Sequence, residues 1–180
     1  MRELHAVGIE GAGLVELVAH ADDRGAMTEL YRREWFQNVP ELLQANQSQS
    51  RAGVLRGLHF HRRQTDYWLL LEGMAFVGLF DLRTGSPTEG ASAQFALDAG
   101  EGLRGLLIPP GIAHGFYAAT AIRLAYLVDL AFDGSDEHGL AWNDPATGIA
   151  WPATDPVLSE RDRTNPSLEE VLRDPPHYGS

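Results

Sequence analysis

Two histidines two residues apart, His59 and His61, stand in the apolar, β-favouring run Gly53-Val-Leu-Arg-Gly-Leu-His-Phe-His61. In an extended strand successive side chains alternate faces, so both imidazoles point the same way. Asp66 follows five residues after His61, and the run closes at Gly73. A further histidine, His114, lies in the turn-rich stretch Ile108-Pro-Pro-Gly-Ile-Ala-His114-Gly-Phe116. Together His59, His61, Asp66 and His114 supply three imidazoles and one carboxylate. That donor set suits Fe, Mn, Ni or Zn and leaves coordination positions open for a substrate. The bland alternative makes His61 a partly exposed strand residue beside Arg62 and Arg63, with Asp66 paired to an arginine.

The elements that would hold these residues read mostly as short strands. Leu14-Val-Glu-Leu-Val18 is a strand, Ala21-Asp-Asp-Arg-Gly25 a turn, and Ala26-Met-Thr-Glu-Leu-Tyr31 a strand or short helix. Arg32-Arg-Glu-Trp-Phe36 has helical character and stops before Pro40. The polar run 44–50 is a loop, or its amides at 44, 46 and 47 line a polar cavity. From Tyr67 the pattern is strand, Glu72-Gly73 turn, strand to Arg83, then the turn Thr84-Gly-Ser-Pro-Thr88. Strands follow at 94–97 and 103–108. In 122–130 aliphatic residues alternate with the rest, which places Tyr126 on an inward, aliphatic face. A tyrosine so placed is ordinarily core, with its hydroxyl satisfied. Residues 139–152 form a turn-laden segment with two tryptophans. Ser167-Leu-Glu-Glu170 is a capping box and predicts a short C-terminal helix. The pattern as a whole predicts one all-β barrel domain over residues 1–180, with N-terminal strands and a short helical tail.

Composition bounds the functions open to such a barrel. With 44% hydrophobic and 22% charged residues, the chain is that of an ordinary soluble globular protein. It has no cysteine, so thiol catalysis, thiolate metal ligation and disulfides are excluded. All 14 basic residues are arginine, which removes every lysine mechanism. A formal charge of −11 argues against a nucleic-acid partner but leaves room for a small anionic ligand held by a few arginines. No signal peptide or membrane-length apolar run is visible, so a cytoplasmic location and no membrane partner are expected.

The spacings G-x5-H-x-H-x4-D-x6-G and P-x-G-x2-H resemble the two motifs of the cupin barrels, in which such residues converge inside a small jelly-roll β-barrel. A more specific resemblance covers nearly the whole chain. Asp22-Asp-Arg-Gly25, Gly53-Val-Leu-Arg-Gly-Leu-His-Phe60, Arg83 with Gly85-Ser-Pro-Thr88, the His114 stretch, Trp142-Asn-Asp-Pro145 and Gly148-Ile-Ala-Trp-Pro152 resemble the dTDP-4-dehydrorhamnose 3,5-epimerases. The resemblance implies a cupin-type jelly roll, usually a homodimer. It also implies a nucleotide-linked 4-keto-6-deoxyhexose as substrate and no metal or organic cofactor. Carried over by residue, it implies His59 as the base, Asp162 as the carboxylate orienting it, and Tyr126 as the acid on the opposite face. It implies sugar and diphosphate contacts for Arg56, Gln44 and Asn46, a place near the nucleotide for Arg24 and Glu29, and stacking on the base for Phe132. His114 matches a family histidine, with a structural role at least as well supported. Arg56 lies three residues before His59, so the two share a face only if the strand bulges, for which Gly57 is placed.

Two departures bear on the chemistry. The family has a lysine where Asp66 stands, and that lysine helps stabilise the enolate oxygen. A cation about 4 Å from a developing oxyanion contributes on the order of 4 kcal/mol at an effective dielectric near 20, and a carboxylate reverses the sign. The family also lacks a ligand where His61 stands and has a histidine where Gln47 stands. His61 and Asp66 thereby restore the cupin metal pattern, and a bound cation would polarise the keto oxygen in place of the lysine. A histidine nitrogen that holds a metal cannot also be the free base, so the two readings of His59 exclude each other. A sugar-nucleotide binder without catalysis is the third reading.

Overall fold

The computed structural model describes residues 3–36, 38–132 and 134–179. The first half of the chain supplies strands β1 (His5–Ala6), β2 (Gly13–Glu16), β3 (Ala19–Asp22), β4 (Gly25–Thr28), β5 (Gln44–Ser50), β6 (Leu55–Phe60) and β7 (Asp66–Glu72). The second half adds β8 (Met74–Asp81), β9 (Ser92–Asp98), β10 (Arg104–Ile108), β11 (Ile112–Ala118), β12 (Ile122–Val128) and β13 (His138–Gly139). They form a six-stranded sheet in the order β1-β2-β10-β7-β12-β5 and a five-stranded sheet in the order β13-β6-β11-β8-β9. All pairings are antiparallel. The expected all-β jelly roll of cupin type is what forms.

Alternation along the strands decides which side chains fill the space between the sheets. Trp68, Leu70, Leu106, Ile108 and Leu124 of the six-stranded sheet meet Val77, Leu79, Ile112 and Phe116 of the five-stranded one. The intervening residues are not left to solvent. Tyr67, Leu69 and Leu107 on the outer face are covered by Trp35, Phe36 and Leu42. Leu58, Phe60, Phe80, Leu82 and Ala113, on the other outer face, are covered by Leu140, Leu168 and Val171. Tyr67-Trp-Leu-Leu70 is therefore apolar at every position because both of its faces are buried. Each such side chain contributes roughly 1.5–3 kcal/mol on burial.

The turn between β7 and β8 needs its glycine. Gly73 has φ +80°, and a Cβ there would stand 2.2 Å from the Ala121 carbonyl oxygen. The tail holds two short helices, α1 (Glu160–Arg163) and α2 (Leu168–Val171). Ser167 and Glu170 form the capping box read from the sequence.

Three local expectations are corrected or narrowed. The polar run 44–50 is a full strand rather than a loop, because its alternate residues turn inward while β12 pairs along all of it. Of 26–31, only 26–28 are strand, as part of β4. The helical character of 32–36 reduces to one 3-10 turn over Arg33–Trp35, with Trp35 buried as a lid. Among the described residues no helix is long and apolar enough to cross a membrane.

Candidate active site

A cavity of about 240 Å3 opens between the two sheets, with His59, His61, Asp66, Trp68, His114 and Tyr126 in its wall. Strand β6 sends Leu58 and Phe60 into the outer layer, and this turns His59 and His61 toward the cavity. The 53–55 end of the same run is laced to the tail. Leu55 N–H donates to the Val157 carbonyl at 3.0 Å, and Val157 N–H donates to the Gly53 carbonyl at 2.8 Å. Two residues beyond Val157, Ser159 caps α1, and Asp162 sits inside that helix.

His59 Nε2 lies 2.6 Å from Asp162 Oδ1. A carboxylate only accepts, so Nε2 carries the hydrogen and Nδ1 is the nitrogen left with a lone pair. Ser159 Oγ donates to the other oxygen of Asp162 at 2.7 Å. Burial pushes the Asp162 carboxyl up, but the bonds from His59 and Ser159 outweigh it and hold the group below the ordinary carboxylate range. Tyr126 comes from β12 in the opposite sheet. Burial, with the carboxylates of Asp66 and Glu137, pushes its phenol above the ordinary value. It is therefore protonated at neutral pH and able to donate.

Arg56 reaches the cavity wall because β6 bulges. His114 pairs with His59 and Phe116 with Arg56, so β6 has one residue more than β11 between those pairs. The extra residue falls at Gly57, whose φ is +127°. A Cβ there would stand 2.7 Å from Gly115 Cα. Arg56 Nε donates to Ser50 Oγ at 3.0 Å.

Deeper in the cavity His61, Asp66 and His114 are all buried, and one donor atom from each lies within 4.8 Å of the others. His61 Nδ1 donates to the Asp136 carbonyl at 2.8 Å, and His114 Nδ1 to the Ile112 carbonyl at 2.9 Å. Burial, reinforced by His61, holds His114 well below the ordinary imidazole value, so it is neutral. Asp66 is not paired to an arginine. Its neighbours are Gln64 Nε2 at 3.2 Å, His61 Nε2 at 3.6 Å and the Trp68 side chain, which donates a hydrogen bond to it. Burial pushes its carboxyl up to about 6 against the opposing pull of His61 and Gln64. His59 stands outside this cluster with Nε2 committed to Asp162, so the four-ligand set expected from the sequence is corrected to three.

The remaining candidates lie off the cavity. Gln44 and Asn46 are on the inward face of β5 beyond Ser48, which lines the cavity itself. Gln44 donates to Asn46 Oδ1 at 3.0 Å and accepts from the Phe132 N–H at 3.2 Å. Phe132 is 70% exposed, and with Leu130, Arg63 and Gln64 it borders a shallow depression beside His61. Arg24 is exposed at the tip of the β3–β4 hairpin, paired to Asp22 at 2.6 Å. Glu29, just past that hairpin, pairs with Arg32 at 2.6 Å.

Sequence reasoning missed Trp68, Glu137, Arg161 and Asp136. Asp136 accepts the backbone N–H groups of Arg62, Arg63 and Gln64 at 2.8–3.2 Å and so fixes the loop from His61 to Asp66. No local signal marks a carboxylate 74 residues from the amide it caps. Trp68 was legible only as an apolar strand residue, although its ring packs edge-on against His114 at 5.1 Å.

The chain and its fold have close counterparts among known proteins. The profile of the dTDP-4-dehydrorhamnose 3,5-epimerase family matches residues 6–170. A dTDP-4-dehydrorhamnose 3,5-epimerase of Streptomyces griseus is 38% identical over 179 residues, covering 94% of this chain and 88% of the relative. The solved rmlC epimerase of Mycobacterium tuberculosis superposes with a TM-score of 0.91 at 31% identity, over 98% of this chain and 94% of the other. ChmJ, a 3′-monoepimerase of Streptomyces bikiniensis solved with dTDP-quinovose, superposes with a TM-score of 0.86 at 33% identity, over 94% and 90%. With its profile matched almost end to end and its barrel shared with these enzymes, the chain belongs to the dTDP-4-dehydrorhamnose 3,5-epimerase family.

Proposed function

We propose that the protein epimerises a nucleotide-linked 4-keto-6-deoxyhexose at C3, C5 or both, as a step of deoxysugar biosynthesis. The observation that carries this reading is the 2.6 Å His59–Asp162 contact facing the same cavity as Tyr126 from the opposing sheet. Epimerisation beside a ketone needs a base on one face, an acid on the other, and compensation for charge on the enolate oxygen. His59 Nδ1 takes the proton from carbon, and Asp162 stabilises the imidazolium that results. Tyr126, held in its protonated form, returns a proton to the opposite face. Arg56 contacts the sugar or diphosphate, and Gln44, Asn46 and Phe132 extend the binding surface away from the cavity toward the nucleotide.

Arg24 and Glu29 lie away from this chain's own cavity. All of Ala19–Asp22 and Gly25–Met27 in the hairpin is exposed. A homodimer in which this hairpin meets a second copy is the arrangement in which Arg24 and Glu29 would serve a nucleotide.

The test is incubation with dTDP-4-keto-6-deoxyglucose in deuterated water. The proposal expects a gain of about one mass unit per epimerised centre, abolished in His59→Ala. Absence of exchange in the wild-type enzyme with bound substrate would overturn the epimerase reading. Exchange retained in His59→Ala would overturn the assignment of the base.

A further inference from the structure

We propose that His61, Asp66 and His114 form a binding site for a divalent transition-metal ion beside, and separate from, the His59–Asp162 dyad. A metal on three such ligands at 2.0–2.2 Å holds its donor atoms about 3 Å apart. The three donors here already lie within 4.8 Å of one another, and His61 Nε2 and Asp66 Oδ2 are 3.6 Å apart. Small side-chain movements close the remaining distance.

The orientation of the rings is the stronger argument. Both acceptors of the Nδ1 atoms are backbone carbonyls, so both nitrogens must carry hydrogen. In a neutral imidazole that leaves the lone pair on Nε2, the nitrogen facing the cluster, which is how outer partners orient histidine ligands of metals. His61 Nε2 faces a carboxylate oxygen, Asp66 Oδ2, at 3.6 Å, beyond hydrogen-bond reach. A metal ion placed between these two buried atoms and His114 Nε2 would be held by all three. Burying a carboxylate whose hydrogen-bond donors are the neutral Gln64 and Trp68 side chains is costly, and a metal would offset that cost. Among the described residues Arg62 is turned away from the cluster to Asp174, and Arg83 is committed to Asp81.

The donor set of two imidazoles and one carboxylate suits Fe, Mn, Co, Ni or Zn and disfavours Mg or Ca. Such an ion, in the wall of the cavity where the ketone must sit, would supply positive charge at the keto oxygen in a chain that has no lysine to do so. That use rests on the epimerase reading; the existence of the site does not. Because His59 is not a ligand, the metal and the base occupy different residues.

The experiment is elemental mass spectrometry of untagged protein purified without chelator, followed by stripping and titration with Co2+ under optical and calorimetric detection. The proposal expects about one transition-metal ion per chain, and d–d bands of imidazole-ligated cobalt. Asp66→Asn and His61→Ala should weaken Co2+ by more than about 100-fold, beyond the loss usual for an outer partner. His59→Asn should keep the metal. A folded wild-type protein that contains no metal and takes up no Co2+ at micromolar concentrations would overturn the site. So would Co2+ affinity unchanged in folded Asp66→Asn, the near-isosteric variant that guards against misfolding of His61→Ala. No substrate enters these measurements, so failure of the metal site and failure of the epimerase reading are separately visible.

Discussion

At the scale of single residues, the His59–Asp162 pair decides what the cavity can do, because the carboxylate chooses the ring's tautomer. In Asp162→Asn the amide NH2 can face Nε2 as a donor, which moves the ring hydrogen to Nδ1 and removes the lone pair the proton transfer needs. The expected loss in kcat is on the order of 10⁴-fold, the size seen for the equivalent change in hydrolase triads. The dissociation constant for dTDP should be unchanged, which equilibrium titration checks. Tyr126→Phe should lower kcat/KM by about 10²–10⁴-fold, the usual contribution of a positioned acid. It should leave His59-dependent loss of the substrate proton measurable, and a variant as inert as His59→Ala would contradict the two-face assignment.

At the scale of elements, β6 carries the site and the turn after β8 is pinned by a buried ion pair. Gly57→Ala places a Cβ against Gly115 and the His114 carbonyl. The strain should cost roughly 1–3 kcal/mol and lower Tm by several degrees. It should also weaken substrate binding, since Arg56 loses the bulge that turns it inward. The Asp81–Arg83 pair, joined at 2.7 Å with Ser86 and Thr88 also donating to Asp81, pins the 84–88 turn. Burial pushes the Asp81 carboxyl up, yet these donors outweigh it and hold the group below the ordinary value. A carboxyl depressed in the folded state stabilises fully above its ordinary value near 3.9, and the gain is lost as pH falls through the folded value. Asp81→Asn should therefore lower Tm at pH 7, and its Tm should fall less than that of wild type between pH 5 and 3.

The same elements show what was legible beforehand. Alternation in β12 placed Tyr126 inward, and the His59 and His61 spacing placed two imidazoles on one face. The polarity of β5 hid a strand, because its inward residues border an aqueous cavity rather than the core. Asp162, 103 residues from His59, was legible only through resemblance, since nothing local distinguishes a carboxylate that holds a histidine from a solvated one in a charged helix. Asp136 gave no signal at all, since a capping carboxylate is defined by a loop distant in sequence.

At the scale of the whole molecule, the proposed homodimer would use the exposed β3–β4 hairpin and the candidates that lie off the cavity. Light scattering after size exclusion should give twice the mass of the chain, and deletion of the hairpin tip with Arg24 should weaken dTDP binding. A monomer that binds dTDP as tightly as the intact protein would contradict the hairpin's role. The account stands or falls on proton exchange in the enzyme. The most direct measurement is deuterium uptake at C3 and C5 of dTDP-4-keto-6-deoxyglucose, run beside dTDP affinity, for wild type and His59→Asn. The account predicts uptake by wild type, none by His59→Asn, and equal dTDP affinity for both. Equal uptake by the two proteins, or none by a wild type that binds dTDP, would contradict it.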